Sequence, residues 1–194
     1  MQLIGKYFWN ITKYSDLQFI ALSKEFELLE CFIEIYKTIR GSNISIDLDY
    51  QEELKNVEIP TMLLQPIVEN SFIHGMRGMD EMFIIRLSAE PVKGRNGKLC
   101  GLILSVADNG VGMNEEAIER LKQGKRCGDE QEDTHRKEVI RNIGIPNIIE
   151  RLKMLYGENA ELNIVSGDHG TTITIRLPVG FNGDKIHEKS EWMV

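Results

Sequence analysis

The stretch Val106-Ala107-Asp108-Asn109-Gly110-Val111-Gly112-Met113 runs apolar residues into one acid, followed by two glycines one residue apart. An Asp at the end of an apolar run offers a carboxylate held in place, and a glycine lets a ligand approach the backbone where a Cβ would block it. The simpler reading is a hairpin, because Asn-Gly between extended segments is the strongest short-range signal for a tight two-residue turn. A calcium loop is excluded: ligand positions one, three and five fall on Asp108, Gly110 and Gly112, and glycine has no side-chain oxygen. The phosphate-cradling sequence Gly-x-x-x-x-Gly-Lys-Ser/Thr is absent from the chain.

Three other segments carry residues of matching chemistry. The stretch Val68-Glu69-Asn70 supplies an acid and an amide, with His74 four residues past Asn70 and therefore on the same face of a helix. Glu69 lies about 100° around such a helix from Asn70. In "RNIGIPN", Gly144 stands at a helix start, where free N–H groups and the helix dipole favour phosphate. In "GTT", Thr171 and Thr172 open a strand with hydroxyls able to reach a polar ligand. An acid, an amide oxygen, glycines and a helix N-terminus together suit a purine nucleotide carrying Mg²⁺.

The pattern of apolar residues predicts the elements that position these groups. From Ser15 to Arg40, apolar residues at Leu17, Ile20, Leu28, Phe32, Ile35 and Ile39 predict one long amphipathic helix stopped by Gly41. Ile44, Ile46, Leu48 and Tyr50 alternate with polar residues, the period of a strand. A helix is expected from about Pro66, where proline suits the first turn. Strands follow over 82–90 and 98–107, the second delivering Asp108 at its end, and Asn114 is placed to cap a short helix reaching about residue 123. The segment 124–141 has few large apolar side chains and much mixed charge, which predicts a lid or loop. A helix over 143–156 and strands over 160–166 and 171–177 complete the pattern. The order implies an α+β sandwich, with helices on one face of a mixed, mostly antiparallel sheet.

The 194 residues allow one full domain with a helical appendage, and 42% hydrophobic with 27% charged residues is ordinary for a soluble globular chain. A net charge of -7 argues against a broad nucleic-acid surface. Cys31, Cys100 and Cys127 show no Cys-x-x-Cys spacing, so neither a disulfide framework nor a zinc site is indicated, and a reducing, cytoplasmic setting is expected. No apolar run approaches the roughly 18 residues of a membrane span. Met1 to Trp9 lacks the apolar core and cleavage site of a signal peptide.

With the four motifs in order, "IPTMLLQPIVENSFIHG", "VADNGVGM", "IGIPNIIERLKMLYG" and "GTTITIRLP", the chain resembles the ATP-binding catalytic domain of sensor histidine kinases. That superfamily also holds gyrase, the Hsp90 chaperones and the MutL proteins. More narrowly, the motifs resemble the kinases that pair with LytTR- or AraC-type response regulators. The resemblance runs from about Leu17 to Pro178. It implies the Bergerat-type two-layer sandwich, with ATP and Mg²⁺ as ligands. Asp108 would accept the adenine amino group, and Gly110 and Gly112 would admit the nucleotide. Asn70 would hold Mg²⁺, with Glu69 and His74 as further candidates at the catalytic centre. Gly144, with Asn142 and neighbouring amides, would cradle phosphates, and Thr171 would support the adenine edge.

The resemblance has departures. Asn142 stands where many such kinases open the phosphate motif with Gly-x-Gly, and Ile73 replaces the subfamily's basic residue three past the Asn. ATP-hydrolysing relatives carry a Glu one turn before that Asn; Pro66 occupies this position and cannot act as a base, which favours phosphoryl transfer over hydrolysis. The family's phosphorylated histidine lies upstream in a context that His74, His135, His169 and His187 lack. The chain is therefore expected to be the catalytic portion of a longer kinase. Residues 1–41 would end its helical dimerisation region, 42–180 would bind ATP, and 181–194 would be a disordered tail. The implied partners are the histidine-bearing dimerisation helices of the same kinase, homodimeric at full length, and a response regulator, with no nucleic acid and no direct membrane contact. The implied place is the cytoplasmic side of a membrane-anchored bacterial sensor. Two alternatives share the fold: a serine kinase of the anti-sigma type, and a non-catalytic nucleotide- or partner-binding module.

Overall fold

The computed structural model describes residues 2–41, 43–77, 79, 81–122 and 144–179. The expected lid over 124–141, Asn142 and the tail over 181–194 fall outside them. Helix α1 (Gln2–Tyr14) leads into a short strand β1 (Phe19–Ala21) and helix α2 (Leu22–Arg40). Strands β2 (Ile44–Tyr50) and β3 (Glu58–Pro60) precede helix α3 (Gln65–Asn70), which loosens into a π-helical turn over Ser71–Gly75. Then come β4 (Phe83–Lys93), β5 (Leu99–Asp108), α4 (Glu115–Lys122), α5 (Gly144–Tyr156), β6 (Glu161–Gly167) and β7 (Gly170–Pro178).

Five strands form one sheet in the order β2-β4-β5-β7-β6, and β1 pairs separately with β3. β2 runs parallel to β4, while the other pairs are antiparallel. The α+β sandwich expected from the sequence is the observed architecture. Its cause is the alternation within the strands: Phe83, Ile85 and Leu87 of β4 and Ile173, Ile175 and Leu177 of β7 point to one buried face. Leu22, Phe26, Leu29 and Ile33 of α2, Ile67 and Val68 of α3, and Ile145, Ile148 and Leu152 of α5 belong to the same hydrophobic cluster.

The single helix predicted over 15–40 is not observed. Its first part is strand: Phe19, Ile20 and Ala21 pair with Pro60, Ile59 and Glu58, and the Leu22 N–H continues the contact by donating to the Val57 carbonyl at 2.8 Å. The helical period begins only at Leu22, so Leu17, 49% exposed, lies off the buried stripe of α2. Strands β1 and β3 lie where the sequence predicts no strand, and α1 is a separate helix ahead of the one predicted from Ser15. The remaining strands agree with expectation to within a few residues at their ends.

Candidate functional site

Asp108 is the last residue of β5 and pairs in register with Thr171 near the start of β7. On the other side of β5 its register partner is Ile85 of β4. The strand end therefore sits in the middle of the sheet, where three neighbouring segments converge on one carboxylate. Oδ1 accepts the N–H of Gly110 at 2.9 Å and of Thr171 at 3.3 Å, and Oδ2 accepts the Ser71 hydroxyl at 2.6 Å. A carboxylate offers about four lone-pair sites. Both of those on Oδ1 are thus taken, and one on Oδ2 is left for a ligand.

The two-residue hairpin at Asn109-Gly110 does not form. Asn109 instead bridges to the start of β4, its Oδ1 accepting the Ile84 N–H at 2.7 Å and its Nδ2 donating to the Met82 carbonyl at 3.0 Å. The chain then turns past Gly75 towards α4, which Asn114 caps as expected by accepting the Ala117 N–H at 2.9 Å. Both glycines also make close contacts within the protein. A Cβ on Gly110 would lie 2.5 Å from the Cα and carbonyl oxygen of Gly75, and Gly110 does not line the cavity described next. Gly112, with φ 71°, does line it, but its Cβ would stand 1.9 Å from the Gly167 carbonyl oxygen at the β6–β7 turn. Both close approaches join the loop to the protein itself.

A cavity of about 440 Å³ opens between α3, the π-helical turn, the 109–114 loop, α4 and the first residues of α5 and β7. That volume falls in the range of small-molecule sites, about 300–1,000 Å³. Asn70, His74, Asp108, Gly112 and Thr171 line it, so five of the nine residues singled out from the sequence come together here. Gly144 is the first residue of α5 and stands behind the wall: a Cβ there would meet Pro66 at 3.0 Å and the Asn70 amide nitrogen at 3.3 Å. Glu69 faces away, its Oε1 accepting from Gln65 Nε2 at 2.9 Å while the same nitrogen donates to the Tyr7 hydroxyl of α1 at 2.7 Å. Asn142 lies outside the described residues.

Two serines complete the arrangement without having been anticipated. Ser71, buried on the first residue of the π-helical turn, is the partner of Asp108. Ser166 on β6 accepts the Met113 N–H at 2.8 Å, lies 2.7 Å from Thr171 Oγ1 and donates to the Gly170 carbonyl at 3.1 Å. Ser71 stands beside Asn70 in the sequence, but a serine in that position carries no signal of its own. It stands on the π-helical turn, and such turns are frequent at functional sites. Arg77 and Arg120 bring positive charge to the cavity wall, the latter paired with Glu116 at 2.6 Å.

The mixed sheet with helices on one face, and a cavity at the end of a central strand, can be set beside solved structures. The chain superposes on the histidine kinase domain of a blue-light activated kinase from Erythrobacter litoralis with a TM-score of 0.52 at 18% identity, covering 82% of this chain and 65% of that one. The catalytic domain of histidine kinase ThkA gives 0.52 at 15% identity, over 82% and 93%. The fold is that of these histidine kinase catalytic domains.

Relatives by sequence include sensor histidine kinases. Sensor histidine kinase YpdA of Escherichia coli is 29% identical over 170 residues, 88% of this chain and 26% of that protein. Sensor protein LytS of Oceanobacillus iheyensis is 29% identical over 167 residues, covering 86% and 26%. YesM, a sensor histidine kinase of Bacillus subtilis, is 27% identical over 160 residues, covering 82% and 24%. The chain thus spans about a quarter of the length of these relatives. No family model matches it. Among the described residues, no helix is long and apolar enough to cross a membrane.

Proposed function

We propose that this chain is the catalytic domain of a two-component sensor histidine kinase, binding Mg²⁺–ATP and passing the γ-phosphoryl group to a histidine outside it. A response regulator, of the LytTR or AraC type with which the kinases these motifs resemble are paired, would then take the group. The observation that carries this reading is the Asp108 carboxylate, fixed by three donors at the end of β5 on the cavity wall, with one acceptor site left over. A carboxylate so held accepts an exocyclic amino group and repels a carbonyl, which selects adenine over guanine.

Asn70, on the cavity wall, would place its amide oxygen on Mg²⁺. Among the described residues no group of three or more His, Cys, Asp or Glu could hold a metal ion, so the ion would arrive with the triphosphate, as Mg²⁺ commonly does. His74 would face the same bound nucleotide, and Gly144 would start the helix whose free N–H groups favour phosphate. With Pro66 in place of a water-activating Glu, transfer is the favoured outcome, and the chain's own work is to orient the nucleotide and exclude water.

In this reading residues 1–41 belong to the helical region leading to the acceptor histidine, with Phe8 and Trp9 of α1, 62% and 73% exposed, offering apolar surface to further helices of a homodimer. The full-length kinase would be anchored in a membrane with this domain in the cytoplasm.

The test is calorimetric titration of ATP and GTP, with and without Mg²⁺, into this chain and into Asp108→Asn. The expected result is Mg²⁺-dependent ATP binding that is absent for GTP and lost in the variant. Phosphoryl transfer to a separately supplied dimerisation domain would then complete the assignment. ATP binding with no such transfer would leave a nucleotide-binding module, and no binding by the unmodified chain would refute the proposal.

A further inference from the structure

Resting on the nucleotide reading above, we infer that Ser71 is the specificity-determining partner of Asp108: it turns this end of the cavity into a floor of acceptors only. A hydroxyl has one proton. Ser71 donates its proton to Asp108 Oδ2 at 2.6 Å, so what it turns to the cavity is lone pairs. The same count fixes Thr171. Ser166 Oγ gives its proton to the Gly170 carbonyl, so the 2.7 Å contact between the two hydroxyls runs from Thr171 to Ser166. Thr171 Oγ1 therefore also presents lone pairs, and its N–H is already engaged with Asp108 Oδ1.

Three oxygens from three segments, on Asp108, Ser71 and Thr171, thus share one polarity in one cavity. At the 6-position an amino group finds acceptors there, whereas a carbonyl sets its lone pairs against those of several side chains instead of one, and such a base has only its N1–H to offer them. Without the Ser71 hydroxyl, the space it leaves admits a water, which can donate or accept as the ligand requires. Discrimination then rests on the carboxylate and the Thr171 hydroxyl. Ser71 also holds Oδ2 through a hydrogen bond to a charged group, among the stronger kinds.

The experiment measures dissociation constants of ATP and inosine triphosphate, which exchanges the amino group for a carbonyl and carries a proton on N1, for the unmodified chain, Ser71→Ala, Ser71→Thr and Ser71→Cys. In Ser71→Ala, ATP should weaken about tenfold while inosine triphosphate changes little, so their ratio narrows by about the same factor. Ser71→Thr keeps the hydroxyl and should keep the ratio. Ser71→Cys keeps the shape with a weak S–H donor and should fall between. A purely structural role would weaken both nucleotides together, so an unchanged ratio in Ser71→Ala or Ser71→Cys overturns the inference. Failure of the unmodified chain to bind ATP overturns it too, through the reading it rests on, and the two failures are told apart by that first titration.

Discussion

Glu25 gives a prediction that the hydrophobic pattern of α2 conceals. It lies on the first turn of α2, 1% exposed, with Oε2 accepting the Met62 N–H at 2.8 Å and Oε1 the Leu64 N–H at 2.9 Å. Those donors belong to the turn before α3, where Met62 adopts φ 54°. The cap position of α3 is Leu64, which has no side-chain acceptor, so Glu25 does the capping from another helix. Burial pushes its carboxyl from 4.5 up to about 7, against the opposing pull of the Leu64 and Met62 N–H groups, the Arg151 guanidinium and the Leu63 N–H. The folded value is above the unfolded one, so the native chain holds the extra proton between pH 4.5 and about 7. The stability this proton carries is complete below 4.5 and lost as the pH rises through about 7. At about 1.4 kcal/mol per pH unit, the interval corresponds to about 3 kcal/mol. Urea unfolding followed by circular dichroism, from pH 4.5 to 8, would read it from the difference between the unmodified chain and Glu25→Gln, in which other titrations cancel. That difference should move against the unmodified chain by about 3 kcal/mol across the range. Parallel curves would refute the reasoning, and a difference moving the other way would mean that the backbone donors outweigh burial.

Two further outcomes follow from contacts at the site and beside it. Gly110→Ala forces a Cβ to within 2.5 Å of Gly75 backbone, so the loop must shift. Overpacking of this kind costs about 1–3 kcal/mol, which thermal unfolding would detect together with weakened nucleotide binding. Tyr7→Phe removes the acceptor for Gln65 Nε2 at 2.7 Å, while that nitrogen keeps Glu69. It should cost about 1 kcal/mol in chemical denaturation and leave the ATP dissociation constant unchanged, since neither Tyr7 nor Glu69 lines the cavity.

The sheet was legible because its strands alternate: Phe83, Ile85 and Leu87 on β4 and Ile173, Ile175 and Leu177 on β7 each mark a buried face with period two. The start of α2 was not legible, because Leu17 and Ile20 continue an apolar spacing that local periodicity cannot distinguish from helix. What sets Phe19–Ala21 apart is pairing with Glu58–Pro60, a contact about forty residues distant. The site divided along similar lines. Asp108, Asn70 and Thr171 announce themselves by residue type at element ends, and the cavity gathers them. Glu69 shared their neighbourhood in sequence but not their face, and is held by Gln65. Ser71 and Ser166 matter only through hydrogen bonds to residues 37 and 53 positions away, Asp108 and Met113, which no short motif records.

The same hydrogen-bond count decides what Asp108→Asn does. Asparagine keeps an oxygen that can go on accepting from Gly110 and Thr171, where Oδ1 now stands. Its amide nitrogen then replaces Oδ2 and faces Ser71 Oγ, and a hydroxyl reverses readily, accepting from the amide and turning its own proton away. The three ties between β5, the π-helical turn and β7 survive, so the fold should lose little stability, within about 1 kcal/mol by thermal unfolding. The polarity at the cavity floor, however, changes sign: the amide N–H and the released Ser71 proton are donors where lone pairs stood. Asp108→Asn should therefore lose ATP and gain relative affinity for inosine triphosphate, whose carbonyl can accept from both. A variant that melts like the unmodified chain and reverses the nucleotide preference would place the recognition in this hydrogen-bond polarity. One that melts alike and still prefers ATP would sink the assignment of Asp108 as the acceptor.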